Sequence, residues 1–226
     1  MKSSGLVPVS LRDGSHARKK QRLSRKTSSS QVRFGVNSCV FVDLDGTLWP
    51  DKGPGSLLSA LNENFLKEFT SQRFESSFQF IIGISNQTYF ARQKMITLRH
   101  LFIFKYTLRK LAVLFDLDDV FICFHHPHAT NKKLRKTCVF RKPNFSLLIQ
   151  AFDNYEIAKE KSIFIGDRIT DMIAANRSGI KNCFLLLNNR SFEFNVGYHD
   201  FEDISTYQFK VINSFTDIKI DELQLG

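Results

Sequence analysis

The sequence has no hydrophobic run that approaches the roughly 20 residues needed to cross a bilayer, so we expect no membrane partner. Cysteine is also scarce. The four residues Cys39, Cys123, Cys138 and Cys183 fall short of the density of a disulfide-stabilised scaffold of this length. A reducing, cytoplasmic setting is the simpler interpretation.

Acidic residues are almost missing from residues 1–37, which carry nine lysines and arginines against one acid, Asp13. This excess accounts for most of the net charge of +10, so residues 38–226 are close to neutral. The first segment is also rich in serine and has no hydrophobic period, which predicts a disordered tail. With 42% hydrophobic residues in the chain, we predict one folded domain over residues 38–226.

The function of the basic tail stays open. It fits a nucleic-acid-binding arm, a nuclear-type basic signal or an organellar transit peptide, since each is rich in basic residues and poor in acids. An inert solvated leader is the simplest of the interpretations.

Apolar runs and amphipathic stretches alternate after residue 38. Strands are predicted at 39–43, 79–84, 119–124, 162–166, 182–187 and 208–212, and helices at about 56–70, 90–115, 143–158 and 170–178. This alternation predicts an α/β fold with a parallel sheet and right-handed crossovers. The 23 phenylalanines indicate a core built from aromatic side chains.

The first predicted strand leads into Asp43, Asp45 and Gly46. Its apolar composition is typical of a buried parallel strand, and open α/β sheets bind ligands at the carboxyl ends of strands. Carboxylates two residues apart point the same way from an extended chain and repel each other without a cation between them. Glycine then allows a sharp turn close to a ligand. The pattern favours a divalent cation beside a nucleophilic carboxylate.

Three further polar motifs follow, two at the ends of predicted strands and one before a predicted helix. They are Ser85-Asn86-Gln87, Arg141-Lys142-Pro143 and Gly166-Asp167-Arg168-Ile169-Thr170-Asp171. Each is ordinary on its own, because a strand-end serine is usually a turn residue and a basic pair is usually solvated. Pro143 fits the first turn of a helix.

The ordered series Asp-x-Asp-Gly-Thr-Leu, Ser-Asn-Gln, Arg-Lys-Pro and Gly-Asp-x-x-x-Asp resembles the motif series of the haloacid dehalogenase (HAD) superfamily of phosphatases. Residues 39–187 are most similar to subclass IIIA, the branch of histidinol-phosphate phosphatase and D-glycero-D-manno-heptose 1,7-bisphosphate phosphatase. The resemblance implies a Rossmann-like three-layer α/β/α sandwich with a mainly parallel sheet. The short segment between the first two motifs leaves no room for a large cap domain.

The resemblance also implies catalysis through an aspartyl-phosphate. Asp43 would be the nucleophile, and Asp45 the general acid that protonates the leaving oxygen and later activates water. Asp43, Asp167 and the backbone carbonyl of Asp45 would hold Mg²⁺. Asp171 would orient a metal-bound water from the second coordination sphere.

Partners for the phosphate are implied in the same way. Ser85 and Asn86 would donate hydrogen bonds to its oxygens. Lys142 would neutralise the phosphoryl group together with Asp43, and the planar fork of Arg141 would bind a phosphate or a sugar hydroxyl.

A zinc-binding loop of the same branch, built on Cys-x-His and Cys-x-Cys pairs, is degenerate in this sequence. Cys123, His125 and Cys138 stand at three ligand positions, while Phe140 occupies the fourth. Structural zinc is almost always four-coordinate. Two interpretations therefore stay open: a weakened zinc site, or a site without zinc in which Phe140 fills the space.

Three functional interpretations follow. The first is a Mg²⁺-dependent phosphatase for a small molecule of the sugar-phosphate, heptose-bisphosphate or histidinol-phosphate type. The second is a nucleic-acid-end phosphatase, such as a polynucleotide 3′-phosphatase, whose basic tail grips the phosphate backbone. The third is a catalytically silent interaction protein. Bulky residues at 88–90, where the branch has glycines, weaken the assignment of a particular substrate, and we expect a monomer.

Overall fold

The computed structural model describes residues 36–49, 63–72, 74–187, 204–223 and 225. The strands are β1 (Cys39–Val42), β2 (Phe80–Asn86), β3 (Asp119–Cys123), β4 (Ile163–Gly166), β5 (Asn182–Leu186) and β6 (Lys210–Ile212). They form one parallel sheet in the order β3-β2-β1-β4-β5-β6. The predicted parallel sheet is therefore confirmed.

The helices are α1 (Glu63–Ser71), α2 (Phe74–Ser77), α3 (Thr88–Arg92), α4 (Leu98–Leu114), α5 (Ser146–Tyr155) and α6 (Ile169–Ser178). Short 3-10 turns lie at Lys159–Lys161, Ile204–Thr206, Phe215–Asp217 and Ile220–Glu222. Within the ranges given above, no helix has both the length and the apolar character needed to span a membrane.

Alternate residues of β1 face opposite sides of the sheet. Val40 and Val42 belong to a hydrophobic cluster with residues of α1 to α4. Cys39 and Phe41 belong to a second cluster with residues of α5 and α6. Because helices cover both faces of the sheet, the structure confirms the expected three-layer α/β/α sandwich.

The strand order reverses between β1 and β4. β1 pairs with β2 on one side and with β4 on the other. From this pair the chain proceeds outward to β3 in one direction and to β6 in the other, which is the Rossmann-like order. Ligands of open α/β sheets bind in the crevice that such a reversal creates at the carboxyl ends of the strands.

The single helix predicted at 90–115 is wrong, because α3 and α4 are separate there. The backbone becomes extended at Gln93, where α3 ends. The hydroxyl of Thr97 accepts a hydrogen bond from the His100 N–H at 3.3 Å, and His100 Nδ1 accepts one from the Thr97 N–H at 3.2 Å. This reciprocal cap begins α4 and explains the break.

Pro143 does not start a helix, since α5 begins at Ser146. The chain first makes a turn, in which the Asn144 N–H donates to the Arg141 carbonyl at 2.9 Å. The other predicted elements agree with the structure to within a few residues. For the helix predicted at 56–70, residues 56–62 lie outside the described ranges, as do residues 1–35 of the predicted tail.

Aromatic rings hold α1 against the first hydrophobic cluster. The Phe69 ring lies 5.1 Å from Phe74, 5.5 Å from Phe115 and 5.2 Å from Phe215, measured between ring centroids. Such contacts stabilise a core beyond the burial of area alone. The predicted aromatic core is confirmed in this cluster.

We expect Phe69→Ala to lower the free energy of unfolding by about 3–5 kcal/mol, because it removes a buried ring and leaves a cavity. Urea denaturation followed by circular dichroism measures the loss. Phe102→Ala is the control, since Phe102 is 72% exposed and its truncation should cost less than about 0.5 kcal/mol. Equal losses for the two variants would contradict this packing.

Candidate active site

Two aspartates meet where the strand order reverses. Asp43 directly follows β1, and its N–H donates to the carbonyl of Ile165 in β4 at 2.9 Å. Asp167 directly follows β4. Because adjacent parallel strands end at the same edge of the sheet, residues far apart in sequence reach one crevice.

Gly46 lets the turn after β1 pass beside Asp167. Its φ is +95°, a left-handed conformation that glycine adopts without steric cost. A Cβ atom at this position would lie 2.1 Å from Asp167 Oδ2. The positive φ agrees with the predicted sharp turn, and the close approach is to the Asp167 side chain. Both observations require glycine here.

A third carboxylate joins the pair from α6. Asp43, Asp167 and Asp171 each offer an oxygen within 4.8 Å of the other two. Asp171 lies in the first turn of α6, where its Oδ2 accepts a hydrogen bond from the Arg168 N–H at 3.0 Å. Asp171 was expected to act through a metal-bound water. The structure places its carboxylate in the same group as the two expected ligands.

Lys142 binds two of these carboxylates at once. Its Nζ lies 2.5 Å from Asp43 Oδ1 and 2.8 Å from Asp171 Oδ1. The same ammonium donates to the Ile84 carbonyl at 2.6 Å. The side chain is buried, so three acceptors replace its lost hydration.

Burial and the neighbouring charges shift the pKa values of Asp43 and Lys142. Burial raises the pKa of Asp43 well above its ordinary value; Lys142 opposes the rise, while Asp171 and Asp167 add to it. Burial alone would lower the pKa of Lys142, but Asp171 and Asp43 raise it above its ordinary value. Three clustered carboxylates still repel one another, and a divalent cation among their oxygens would remove that repulsion. Hard oxygen ligands of this kind fit Mg²⁺.

Asn86 holds the backbone of Lys142 in place. Its Nδ2 donates to the Lys142 carbonyl at 3.0 Å, and its Oδ1 accepts from the Lys142 N–H at 3.1 Å. The sequence predicted a direct contact from Asn86 to phosphate. In the structure the side-chain amide uses its nitrogen and its oxygen to connect β2 to the lysine segment, and the phosphate contact stays a prediction.

The Asp45 carboxylate is not a member of the three-carboxylate group. Its Oδ1 accepts a hydrogen bond from Trp49 Nε1 at 2.8 Å, and its Oδ2 accepts one from Gln87 Nε2 at 2.6 Å. The same Gln87 nitrogen lies 2.8 Å from the hydroxyl of Ser85, which is buried. Sequence reasoning gave neither Trp49 nor Gln87 a role, although Gln87 belongs to the Ser-Asn-Gln motif.

Arg141 connects the loop after β3 to α3. Its Nη1 donates to the His125 carbonyl at 3.0 Å, and its Nη2 donates to Thr88 Oγ1 at 3.3 Å. The loop that follows β3 also bonds to α3, since the Asn131 N–H donates to the Ala91 carbonyl at 3.2 Å. The predicted substrate-facing arginine therefore lies where the 125–141 loop meets α3.

The bulky residues after the Ser-Asn-Gln motif form α3. Phe90 is buried, and its ring packs at 4.8 Å from Phe104 and 5.3 Å from Phe124, measured between centroids. The ring thus points into the core. This segment differs from a glycine-bearing loop because it is helical and anchored by an aromatic side chain.

The three ligand residues of the expected degenerate metal site come together next to Arg141. Cys123, His125 and Cys138 each offer a ligand atom within 4.8 Å of the other two, and Cys123 Sγ lies 3.8 Å from His125 Nδ1. Burial raises the pKa of the Cys123 thiol to about 12. Phe140 is 37% exposed, and it lines a small cavity together with Cys123 and His125.

Comparisons with known proteins identify relatives. A family model described as HAD-hydrolase-like matches residues 139–191. A D-glycero-beta-D-manno-heptose-1,7-bisphosphate 7-phosphatase from Helicobacter pylori is 31% identical over 69% of this chain and 87% of that protein. One from Salmonella typhi is 28% identical over 62% of this chain and 76% of that protein.

A shorter match is closer in identity. It is to a D-glycero-alpha-D-manno-heptose-1,7-bisphosphate 7-phosphatase from Photorhabdus laumondii, and it is 39% identical. This match spans 31% of this chain and 39% of that protein.

Solved structures support the fold. A D,D-heptose 1,7-bisphosphate phosphatase from B. bronchiseptica, complexed with magnesium and phosphate, superposes with a TM-score of 0.58 at 19% identity, over 79% of this chain and 93% of that chain. A HAD-like phosphatase from Mesorhizobium loti gives a TM-score of 0.56 at 21% identity, over 70% of this chain and 77% of that chain. By the family match and the 31% identity to the Helicobacter pylori relative, the chain belongs to the HAD superfamily and is a phosphoric monoester hydrolase of its phosphatase branch.

Proposed function

We propose that the protein is a Mg²⁺-dependent phosphatase that hydrolyses a phosphate monoester of a small sugar, of the heptose-bisphosphate class, through an aspartyl-phosphate on Asp43. One observation carries the proposal: Lys142 pairs with both Asp43 and Asp171 in the crevice where the strand order reverses. A buried nucleophile, a buried cation and a cation-binding group of carboxylates are the parts that phosphoryl transfer needs. The names of the relatives support the substrate class.

Two phosphoryl transfers account for the reaction. In the first, an oxygen of Asp43 attacks phosphorus, and the bond from phosphorus to the leaving oxygen breaks. Asp45 gives its proton to that oxygen, so the product leaves as a neutral alcohol. Lys142 offsets the negative charge on the phosphoryl oxygens while it keeps Asp43 in position.

In the second transfer, water attacks the phosphorus of the aspartyl-phosphate. The Asp45 carboxylate takes a proton from that water, the bond to Asp43 breaks, and inorganic phosphate leaves. Both catalytic carboxyl groups then return to their starting protonation states. One carboxyl group serves as acid and then as base, as two-step hydrolysis requires.

The carboxylates of Asp43, Asp167 and Asp171, with the backbone carbonyl of Asp45, would hold Mg²⁺. When bound, the ion supplies Lewis acidity and reduces the repulsion between an anionic nucleophile and an anionic phosphoryl group. Asn86 bonds the Lys142 backbone through its amide, and the second N–H of that amide is its proposed contact to the phosphate. Ser85 and Arg141 are the other proposed contacts to the substrate.

We expect Asp43→Asn to lower phosphate release at least about 1,000-fold, because the amide cannot form the aspartyl-phosphate. Phosphate release is measured with heptose 1,7-bisphosphate, histidinol phosphate and a 3′-phosphorylated oligonucleotide, with Mg²⁺ and with EDTA. Removal of Mg²⁺ should abolish release.

Asp153→Asn makes the same chemical change on the exposed face of α5 and should leave the rate unchanged. If only the oligonucleotide releases phosphate, the substrate is a nucleic-acid end and not a sugar phosphate. Release that Asp43→Asn leaves intact would overturn the mechanism.

We expect Lys142→Met to lower kcat about 100- to 1,000-fold, the loss typical when a charged group that stabilises the transition state is removed. Steady-state kinetics on the best substrate measures the change. Lys161→Met is the matched control, since Lys161 is exposed and should be replaceable without loss. A wild-type kcat in Lys142→Met would contradict the role of the lysine.

We also propose that Cys123, His125 and Cys138 bind one Zn²⁺ through three protein ligands. Their mutual distances and their nitrogen and sulfur donors support this proposal. Zinc on these residues would stabilise the 125–141 loop that carries Arg141, since Arg141 bonds the His125 carbonyl. It would have no part in the phosphoryl transfer.

Metal analysis of the purified protein tests the zinc proposal. We expect about one zinc per chain in the wild type, and at least several-fold less in Cys138→Ser. Cys183→Ser is the control, because Cys183 is also a buried thiol but lies outside the group. Equal zinc contents in the two variants, or none in the wild type, would refute the proposal.

A further inference from the structure

The Asp45 carboxylate lies between two neutral donors to which the mechanism above gives no task. Trp49 Nε1 donates to one oxygen and Gln87 Nε2 donates to the other. Both donor side chains are only 2% exposed. Buried, short hydrogen bonds of this kind fix the orientation of the group that accepts them.

We propose that Trp49 and Gln87 are positioning residues that hold the Asp45 carboxylate for proton transfer and keep it out of the group formed by Asp43, Asp167 and Asp171. This inference rests on the proposed function, since Asp45 is the proton donor of that reaction and the inference concerns the orientation of its carboxyl group. It gives a task to two residues that sequence reasoning passed over.

The turn after β1 places the indole of Trp49 beside Asp45. The Gly46 N–H donates to the Trp49 carbonyl at 2.7 Å, and the Leu48 and Trp49 N–H groups both reach the Leu44 carbonyl, at 3.0 and 3.3 Å. The ring itself packs in the first hydrophobic cluster. Because the turn and the packing hold the ring in this way, the indole N–H points toward Asp45.

Gln87 is fixed from two sides. Its backbone N–H donates to the Cys123 carbonyl at 2.9 Å, which ties it to β3. Its Nε2 lies 2.6 Å from Asp45 Oδ2 and 2.8 Å from Ser85 Oγ. The amide nitrogen has two hydrogens, so it can donate one to Asp45 and the other to the Ser85 hydroxyl.

The consequence for catalysis is geometric. Asp45 lies two residues from Asp43, so an unrestrained carboxylate could rotate toward the shared cation and become a ligand in place of a proton donor. One donor on each carboxylate oxygen opposes that rotation.

The chain contains a single tryptophan, so its indole N–H gives one proton–nitrogen NMR signal that reports on the contact directly. We expect this signal to lie downfield and to exchange slowly with solvent, and Asp45→Ala to move it upfield and speed its exchange. Asp153→Ala should leave it in place. A signal that Asp45→Ala does not move would overturn the proposal, whatever the substrate.

Kinetics separate positioning from folding. We expect Trp49→Phe and Gln87→Met each to lower kcat about 10- to 100-fold, because the proton donor is displaced. KM should stay within about threefold in Trp49→Phe, which leaves the Gln87–Ser85 contact in place. Phe104→Leu is the control, as a buried ring of the same cluster that should reduce thermal stability without changing kcat. Wild-type kcat in both positioning variants, or an equal kcat loss in Phe104→Leu, would overturn the proposal.

These two measurements distinguish the inference from the proposed function. A wild type that releases no phosphate but shows an Asp45-dependent indole signal would refute the function and support the contact. An active wild type whose indole signal ignores Asp45 would refute the inference and leave the function standing.

Discussion

The ion pairs of the Lys142 ammonium with Asp43 and Asp171 are the interaction on which the site depends. A buried ammonium is costly unless its donors are satisfied, and here two carboxylates and the Ile84 carbonyl accept all three. The lysine in turn keeps two carboxylates close that would otherwise repel each other. Asn86 fixes the lysine backbone, so the charge arrangement is tied to β2.

The sheet order explains how distant segments reach one another. β1 and β4 are neighbours although β2 and β3 separate them in the sequence, and their carboxyl ends present Asp43 and Asp167 to a common crevice. Gly46 allows the close approach of the two turns because it has no Cβ to meet Asp167. The fold thus supplies proximity, and Gly46 supplies the room for the Asp167 side chain.

Much of this structure could be predicted from the local sequence. Apolar runs such as 39–43 predicted the strands, because buried parallel strands are apolar on both faces. The single helix predicted at 90–115 was wrong, because hydrophobic periodicity does not reveal a helix cap such as the one at Thr97. The contacts of Asn86 and Trp49 could not be predicted, since they join elements that only the tertiary fold brings together. Motif resemblance supplied the proposed catalytic residues, but it did not point to the contact of Trp49 with Asp45.

The most direct test of this account uses beryllofluoride, a stable mimic of a phosphoryl group on a carboxylate, and needs no knowledge of the substrate. Fluorine NMR of the protein with beryllofluoride should show bound signals that require both Mg²⁺ and Asp43, and that are lost in Asp43→Asn. Bound signals that persist without Mg²⁺ or in Asp43→Asn, or no bound signal in the wild type, would contradict a phosphoryl site built on Asp43 and Lys142.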